Sequence, residues 1–239
     1  MTVFMEMENL NYIIIDYRAS DETIKELKNL GCHIIKTQPI LSLYDEVRGH
    51  SDMQLHAAGD DIICAPEAYK YYKSAICGKK VVCGKSKLKP KYPYDIAYNT
   101  CRMGDYVICR ENFTDSEILD RYRRMNLKIL NTKQGYAKCS ICVADKESAI
   151  TADEGIYNLL IKCGMNVLKI SSKGVDLYGM QGFIGGASGL INENLLAFNG
   201  DLKTHPDYEN IKSFCRNLGV DTISLCSGPL KDIGSIIRF

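Results

Sequence analysis

Short apolar runs alternate with amphipathic segments along this chain, and the alternation has an order. Asn11-Tyr12-Ile13-Ile14-Ile15-Asp16 is an apolar run of strand length. Ser20 then stands as a helix N-cap before Asp21 and Glu22, with Ile24 and Leu27 on one helical face. Gly31 ends that helix, and Cys32–Lys36 reads as another strand.

The unit recurs with a hairpin added in front. Ala58-Gly59-Asp60-Asp61 is a turn into the strand Ile62–Cys64, followed by a helix begun by Pro66, then Gly78 and a strand from Lys79 to Cys83. A third copy has Asp95–Asn99 as its first strand, a turn at Gly104-Asp105, a capping box at Thr114–Glu117, and Asn126 in the helix-ending place. The fourth pairs Ala137–Val143 with Ser148–Ile150, has a second capping box at Thr151–Glu154, and closes with Gly164 and Asn166–Ile170. The fifth runs from Gly182 through Leu195–Phe198 and a helix near Pro206 to Gly219 and Thr222–Leu225.

Only the first copy lacks a hairpin, and a spare apolar segment, Ile233–Ile237, lies near the other end of the chain. If that segment pairs beside Tyr12–Asp16, the first unit is completed and no sheet edge is left exposed. The expectation is therefore an α/β fold: one domain over residues 1–239, a five-bladed pseudo-symmetric α/β propeller closed by the C-terminal strand. Its first strands line a central channel. The second unit opens with Gly49-His50-Ser51-Asp52-Met53-Gln54-Leu55-His56. Read as a strand, it puts His50, Asp52, Gln54 and His56 on one polar face, directed into that channel.

Composition narrows the partners. The 239 residues are 46% hydrophobic and 25% charged with a net charge of +1, which gives no electrostatic case for nucleic acid or a membrane surface. No apolar run has membrane-spanning length, and the acidic Met5–Glu8 does not fit a signal peptide, so a cytoplasmic protein is expected. The 11 cysteines suit reduced thiols. Cys139 and Cys142 would point to opposite faces of a strand, so neither a metal nor a cofactor is expected. The partner expected is a small molecule, and the oligomeric state is left open.

The hairpin–helix–strand repeat resembles the pentein propeller, the fold of guanidino-group modifying enzymes such as arginine deiminase and dimethylarginine dimethylaminohydrolase. Gly49–His56, Gly135–Ser140, Gly182–Gly189 and Asp232–Ile237 are more particularly similar to an uncharacterised bacterial family assigned to that fold. In the characterised enzymes a carboxylate holds the guanidinium, a His moves protons and a Cys thiolate attacks carbon. The resemblance implies Asp52 and His50 for the first two roles. The enzymes' Cys lies after a small Gly-rich segment near the C-terminus, where this chain has Gly234-Ser235 and no Cys. Cys139, which begins the fourth channel strand, and Cys226, in a partly similar Cys-x-x-Pro segment, are the candidates instead. Substrate-binding candidates are Gln54, His56, Asn99, Gly186, Ser188, Asp201 and His205. Two functions stand: a hydrolase or transferase acting on guanidino or amidine compounds, and a non-catalytic pentein-fold binding protein like the ribosome anti-association initiation factors.

Overall fold

The computed structural model describes residues 11–239, so the acidic Met5–Glu8 lies outside it. Five of its six three-stranded sheets share one pattern, an antiparallel pair followed by a parallel third strand across a helix.

The first sheet holds β1 (Asn11–Ile15) and, across α1 (Asp21–Asn29), the parallel β2 (Cys32–Lys36). The second unit has α2 (Ser51–Gln54), β3 (Leu55–Ala58), β4 (Asp61–Cys64), α3 (Tyr69–Ala75) and β5 (Lys80–Cys83). The third has β6 (Cys101–Met103), β7 (Tyr106–Cys109), α4 (Ser116–Arg124) and β8 (Lys128–Asn131). The fourth has α5 (Ala137–Ser140), β9 (Ile141–Val143), β10 (Ser148–Thr151), α6 (Glu154–Lys162) and β11 (Asn166–Lys169). A small extra sheet follows, β12 (Val175–Leu177) against β13 (Met180–Gln181), joined later by β17 (Leu230–Lys231). The fifth unit has β14 (Ser188–Asn192), β15 (Leu195–Phe198), α7 (Tyr208–Asn217) and β16 (Asp221–Ser224). Last, β18 (Ile237–Arg238) pairs antiparallel with β1, Ile13 opposite Arg238; of the spare segment Ile233–Ile237 only Ile237 lies in that strand.

Local chemistry accounts for the helix boundaries. Ser20 Oγ accepts from the Thr23 amide at 3.1 Å. The other two predicted caps are displaced: Asp115, not Thr114, caps α4, and Asp153, not Thr151, caps α6, each through its carboxylate. The helix-ending residues all turn left-handed, Gly31 at φ 77°, Gly78 at 76°, Asn126 at 55°, Gly164 at 79° and Gly219 at 72°. Each helix then lays one apolar face on the sheets. Ile118 and Tyr122 of α4 and Ile156 and Leu160 of α6 are wholly buried, and each such side chain contributes about 1.5–3 kcal/mol. Among the described residues no helix is long and apolar enough to cross a membrane.

The first strands differ from their prediction. Residues 51–54 and 137–140 are single helical turns, and strand begins only at Leu55 and at Ile141. Asp95–Asn99 is likewise turn, with β6 starting at Cys101. Tertiary bonds override the alternation here: the Asp52 amide donates to Gly234 O (3.1 Å), and Ser51 Oγ donates to Gly234 O (2.6 Å).

Candidate functional site

In all five units the residues just ahead of the first strand converge. His50 and Asp52 precede β3, Asn99 precedes β6, Lys138 and Cys139 precede β9, Gly185 and Gly186 precede β14, and Ser235 precedes β18. Hydrogen bonds join these segments in a closed circuit. The Asp52 amide bonds Gly234 O, the Ser235 amide bonds Gly186 O, and the Gly186 amide bonds Cys139 O. Cys139 N donates to Asn99 Oδ1 (3.3 Å), and Asn99 Nδ2 reaches Met53 Sδ (3.5 Å), next to Asp52.

Within this circuit sits a buried reactive group. Cys139 Sγ donates to Asp52 Oδ2 at 3.0 Å and accepts from Asn99 Nδ2 at 3.1 Å. Ser235 Oγ is 2.6 Å from the same Asp52 oxygen, and Lys138 Nζ donates to Ser235 Oγ at 3.2 Å. His50 Nδ1 lies 3.8 Å from Asp232 Oδ1, and Asp232 accepts from the amides of Phe183 (2.9 Å) and Gly234 (3.0 Å). His50, Asp52, Cys139 and Asp232 are each no more than 3% exposed. Two of their polar atoms, His50 Nε2 and Asp52 Oδ1, have no hydrogen-bond partner among the described residues. A buried unpaired polar atom costs about 1–3 kcal/mol, a cost that a bound ligand offering partners would remove.

Glycine geometry makes room for this packing. A Cβ on Gly186 would stand 2.0 Å from Asp232 Oδ1, and one on Gly234, at φ 69°, would stand 2.2 Å from His50 Cβ. Ser235 adopts φ 70° without being glycine, a backbone cost that the Asp52 and Lys138 bonds hold in place.

The electrostatics favour an arriving cation. Burial, with Asp52 and Asp232 close by, raises the Cys139 thiol well above the ordinary range, so the resting group is S–H. Burial also raises Asp232. Ligand atoms of His50, Cys139 and Asp232 lie within 4.8 Å of one another, a nitrogen, sulfur and oxygen set that can hold a metal ion as well as an organic cation.

The structure thus brings together His50, Asp52, Asn99, Cys139 and Gly186 among the residues singled out from the sequence. It places the others elsewhere, Gln54 and His56 because residues 50–56 are not one strand. Gln54 Nε2 donates to Gln38 O and Arg48 O, and its Oε1 accepts from Tyr72. His56 Nε2 is 2.6 Å from Tyr122 Oη, and burial pushes its pKa down to about 3. Ser188 Oγ donates to Ile184 O, and Asp201 caps the short turn Leu202–Thr204. His205 Nδ1 accepts from the Asp207 amide. Cys226 is half-buried, 3.9 Å from Asn199 Oδ1, in a cavity of about 290 Å³ that also borders Arg18, Glu22, Tyr178 and Asp232. Asp232, Ser235 and Lys138 were not singled out as site residues. The one signal was Asp232-x-Gly234-Ser235, an acid and a hydroxyl about a tight glycine turn.

The family DUF6873, described as a family of unknown function, matches residues 14–237. The chain belongs to that family. Among curated proteins none matches it in sequence. In structure it is similar to a mutant of the dimethylarginine dimethylaminohydrolase of Pseudomonas aeruginosa complexed with citrulline. That match has 11% identity, a TM-score of 0.60, and covers 95% of this chain and 98% of that one. It is also similar to a dimethylarginine dimethylaminohydrolase adduct with 4-chloro-2-hydroxymethylpyridine (11%, TM-score 0.62, 95% and 99%). A third match is the inosamine-phosphate amidinotransferase of Streptomyces griseus (12%, TM-score 0.54, 90% and 88%). The DUF6873 chain therefore has the mixed α/β fold of the guanidino-group modifying enzymes, the pentein fold.

Proposed function

We propose that this DUF6873 protein is a hydrolase or transferase acting on the C–N bond of a guanidino or amidine compound. The observation that carries the reading is the pair of unbonded buried atoms, Asp52 Oδ1 and His50 Nε2, beside the Cys139 thiol. In this reading the five repeated units form one pentein domain, a five-bladed pseudo-symmetric propeller, with the site on its axis.

Asp52 and Asp232 are acceptors for the N–H groups of a planar cation. The cation's charge lowers the Cys139 pKa, offsetting the two carboxylates that hold it up. The thiol proton passes to His50, and Sγ attacks the central carbon. His50 returns a proton to the departing amine as the C–N bond breaks, leaving the amidino carbon on sulfur. Water, deprotonated by His50, then adds to that carbon and the thiolate leaves, giving a ureido product. An amine in place of water makes the reaction a transfer. Asn99, donating to Sγ, stabilises the thiolate while it exists. Cys226 touches neither His50 nor Asp52 in this scheme.

The test is treatment of the native protein with 4-chloro-2-hydroxymethylpyridine, read by intact mass and peptide mapping. One adduct on Cys139, absent in Cys139→Ser and much slower in Asp52→Asn, supports the reading. An adduct on Cys226, or labelling of only the exposed Cys77 and Cys83, overturns it. The high resting pKa of Cys139 favours a second reading, a non-catalytic binding pentein. It predicts saturable binding of a guanidino compound with neither adduct nor turnover.

A further inference from the structure

A second cavity, of about 230 Å³, lies farther along the same strands. In every unit its lining follows the site residues in sequence: Leu55–Ala57 of β3, Thr100–Arg102 at β6, Val143 of β9, Ser188–Leu190 of β14 and Ile236–Arg238 at β18. Lys138 closes its inner end, with Nζ held by Ser235 Oγ.

The charges in it are all of one sign. Arg102, Lys138 and Arg238 line the cavity, and no Asp or Glu does. Among the described residues none of the three forms an ion pair. Arg102 Nε reaches only Gly104 O at 3.3 Å, and an Arg238 guanidinium nitrogen reaches only Ile191 O at 3.4 Å. Arg238 also borders a shallower depression with Glu193 and Asp221 and pairs with neither. Lys138 and Arg102 are both close enough to His56, on the cavity wall, to oppose its protonation. A bound anion would relieve their mutual repulsion, and the concave setting strengthens its attraction.

We propose that this cavity is a binding site for a small oxyanion of the phosphate type, held by Arg102 and Arg238 at its mouth and Lys138 at its floor. Its volume is below the range of pockets for drug-sized ligands, which suits an ion of a few heavy atoms. The guanidinium forks match the oxygens of such an ion, and Lys138 adds a point charge. The site adjoins the Cys139 centre through Lys138 and Ser235 and stands whether or not that centre is catalytic.

Isothermal titration with inorganic phosphate, at ionic strength fixed with chloride, tests this on wild type and on Arg102→Gln/Arg238→Gln. One phosphate per chain is expected in wild type, weakened roughly tenfold or more in the double variant. Thermal melts add a check, since both substituted residues are exposed and the variant should fold. Without phosphate the variant should melt at or above the wild-type temperature, because repulsion is removed. No phosphate binding, or equal binding and equal stabilisation in both proteins, overturns the site, since general salt effects act on both alike. A final arm compares a guanidino compound that bears a carboxylate with one that lacks it. Competition with phosphate by the first alone assigns the cavity to the anionic end of a ligand at the Cys139 centre, and joint binding assigns it to a free ion.

Discussion

Two buried imidazoles, His50 and His205, each leave Nε2 unbonded, yet their surroundings differ in origin. His205 lines a cavity with Gln134, Ser140 and Asp153, but its hydrogen bond comes from its own loop: the Asp207 amide bonds Nδ1, and Asp201 spends its carboxylate capping the turn before it. Besides Asp52, two residues on, the groups about His50 come from two distant places, Cys139 and Asp232. Local sequence makes both look like acid–imidazole pairs. Only at His50 does convergence of separate segments add a thiol and a second carboxylate, beside an Asp52 oxygen left without a partner among the described residues.

The hardest test of that contrast is substitution of the imidazoles themselves. His50→Asn is expected to lower turnover of a guanidino substrate roughly 10²–10⁴-fold, whereas His205→Asn leaves it unchanged, with circular dichroism showing both folded. Equal loss in the two would erase the distinction.

Next comes thiol labelling. Iodoacetamide at pH 7 should modify Cys139 slowly, and a bound guanidinium compound too small to shield it should speed that by about tenfold for each unit by which it lowers the thiol pKa. Cys226 should show no acceleration. Faster labelling of Cys226 than of Cys139 under ligand would move the nucleophile to the outer cavity.

Gly186→Ala sharpens the comparison from the side of packing. A methyl group 2.0 Å from Asp232 Oδ1 forces overpacking that costs about 1–3 kcal/mol, measured by urea unfolding, and it should lower activity too. A last comparison, with no bearing on turnover, is the pH dependence set by a third imidazole, His56. Its folded pKa of about 3 lies below the ordinary 6.5, so between those values the unfolded chain holds a proton that the folded chain lacks. Stability is fully present above pH 6.5 and falls toward pH 3, by about 1.4 kcal/mol per unit at most. His56→Gln should flatten that slope; an unchanged slope would place the acid sensitivity elsewhere.

What the sequence revealed followed the same local and distant division. Helix ends at Gly31, Gly78, Asn126, Gly164 and Gly219 were legible, because left-handed closure is a property of one residue and its neighbours. Two-residue turns such as Gly59-Asp60 and Gly104-Asp105 were legible for the same reason. Caps were shifted by one or two places, since a threonine and a nearby aspartate offer competing oxygens and the aspartates won. His50, Asp52, Asn99 and Cys139 could be singled out, yet the alternation argument behind the first two was wrong, because residues 51–54 are a helical turn fixed by Gly234 and Ser235. Ser235 and Asp232 stand out only as part of the Asp232–Ile237 stretch, because nothing in their own neighbourhood states which distant side chains they touch. The partner of Ser235 Oγ is 183 positions away.

That separation governs the order of assembly. Hairpins and helices of each unit close over short stretches, but the bonds of Asp52 to Ser235 and the pairing of Ile13 with Arg238 close loops nearly as long as the chain. Loop closure over such spans comes with a large entropic barrier, and folds rich in distant contacts form slowly. The buried thiol is therefore expected to gain its distant neighbours late in folding, which pulse labelling of Cys139 during refolding would check by its loss of reactivity after the local elements have formed. Reactivity at that one sulfur distinguishes the finished molecule from its late intermediates.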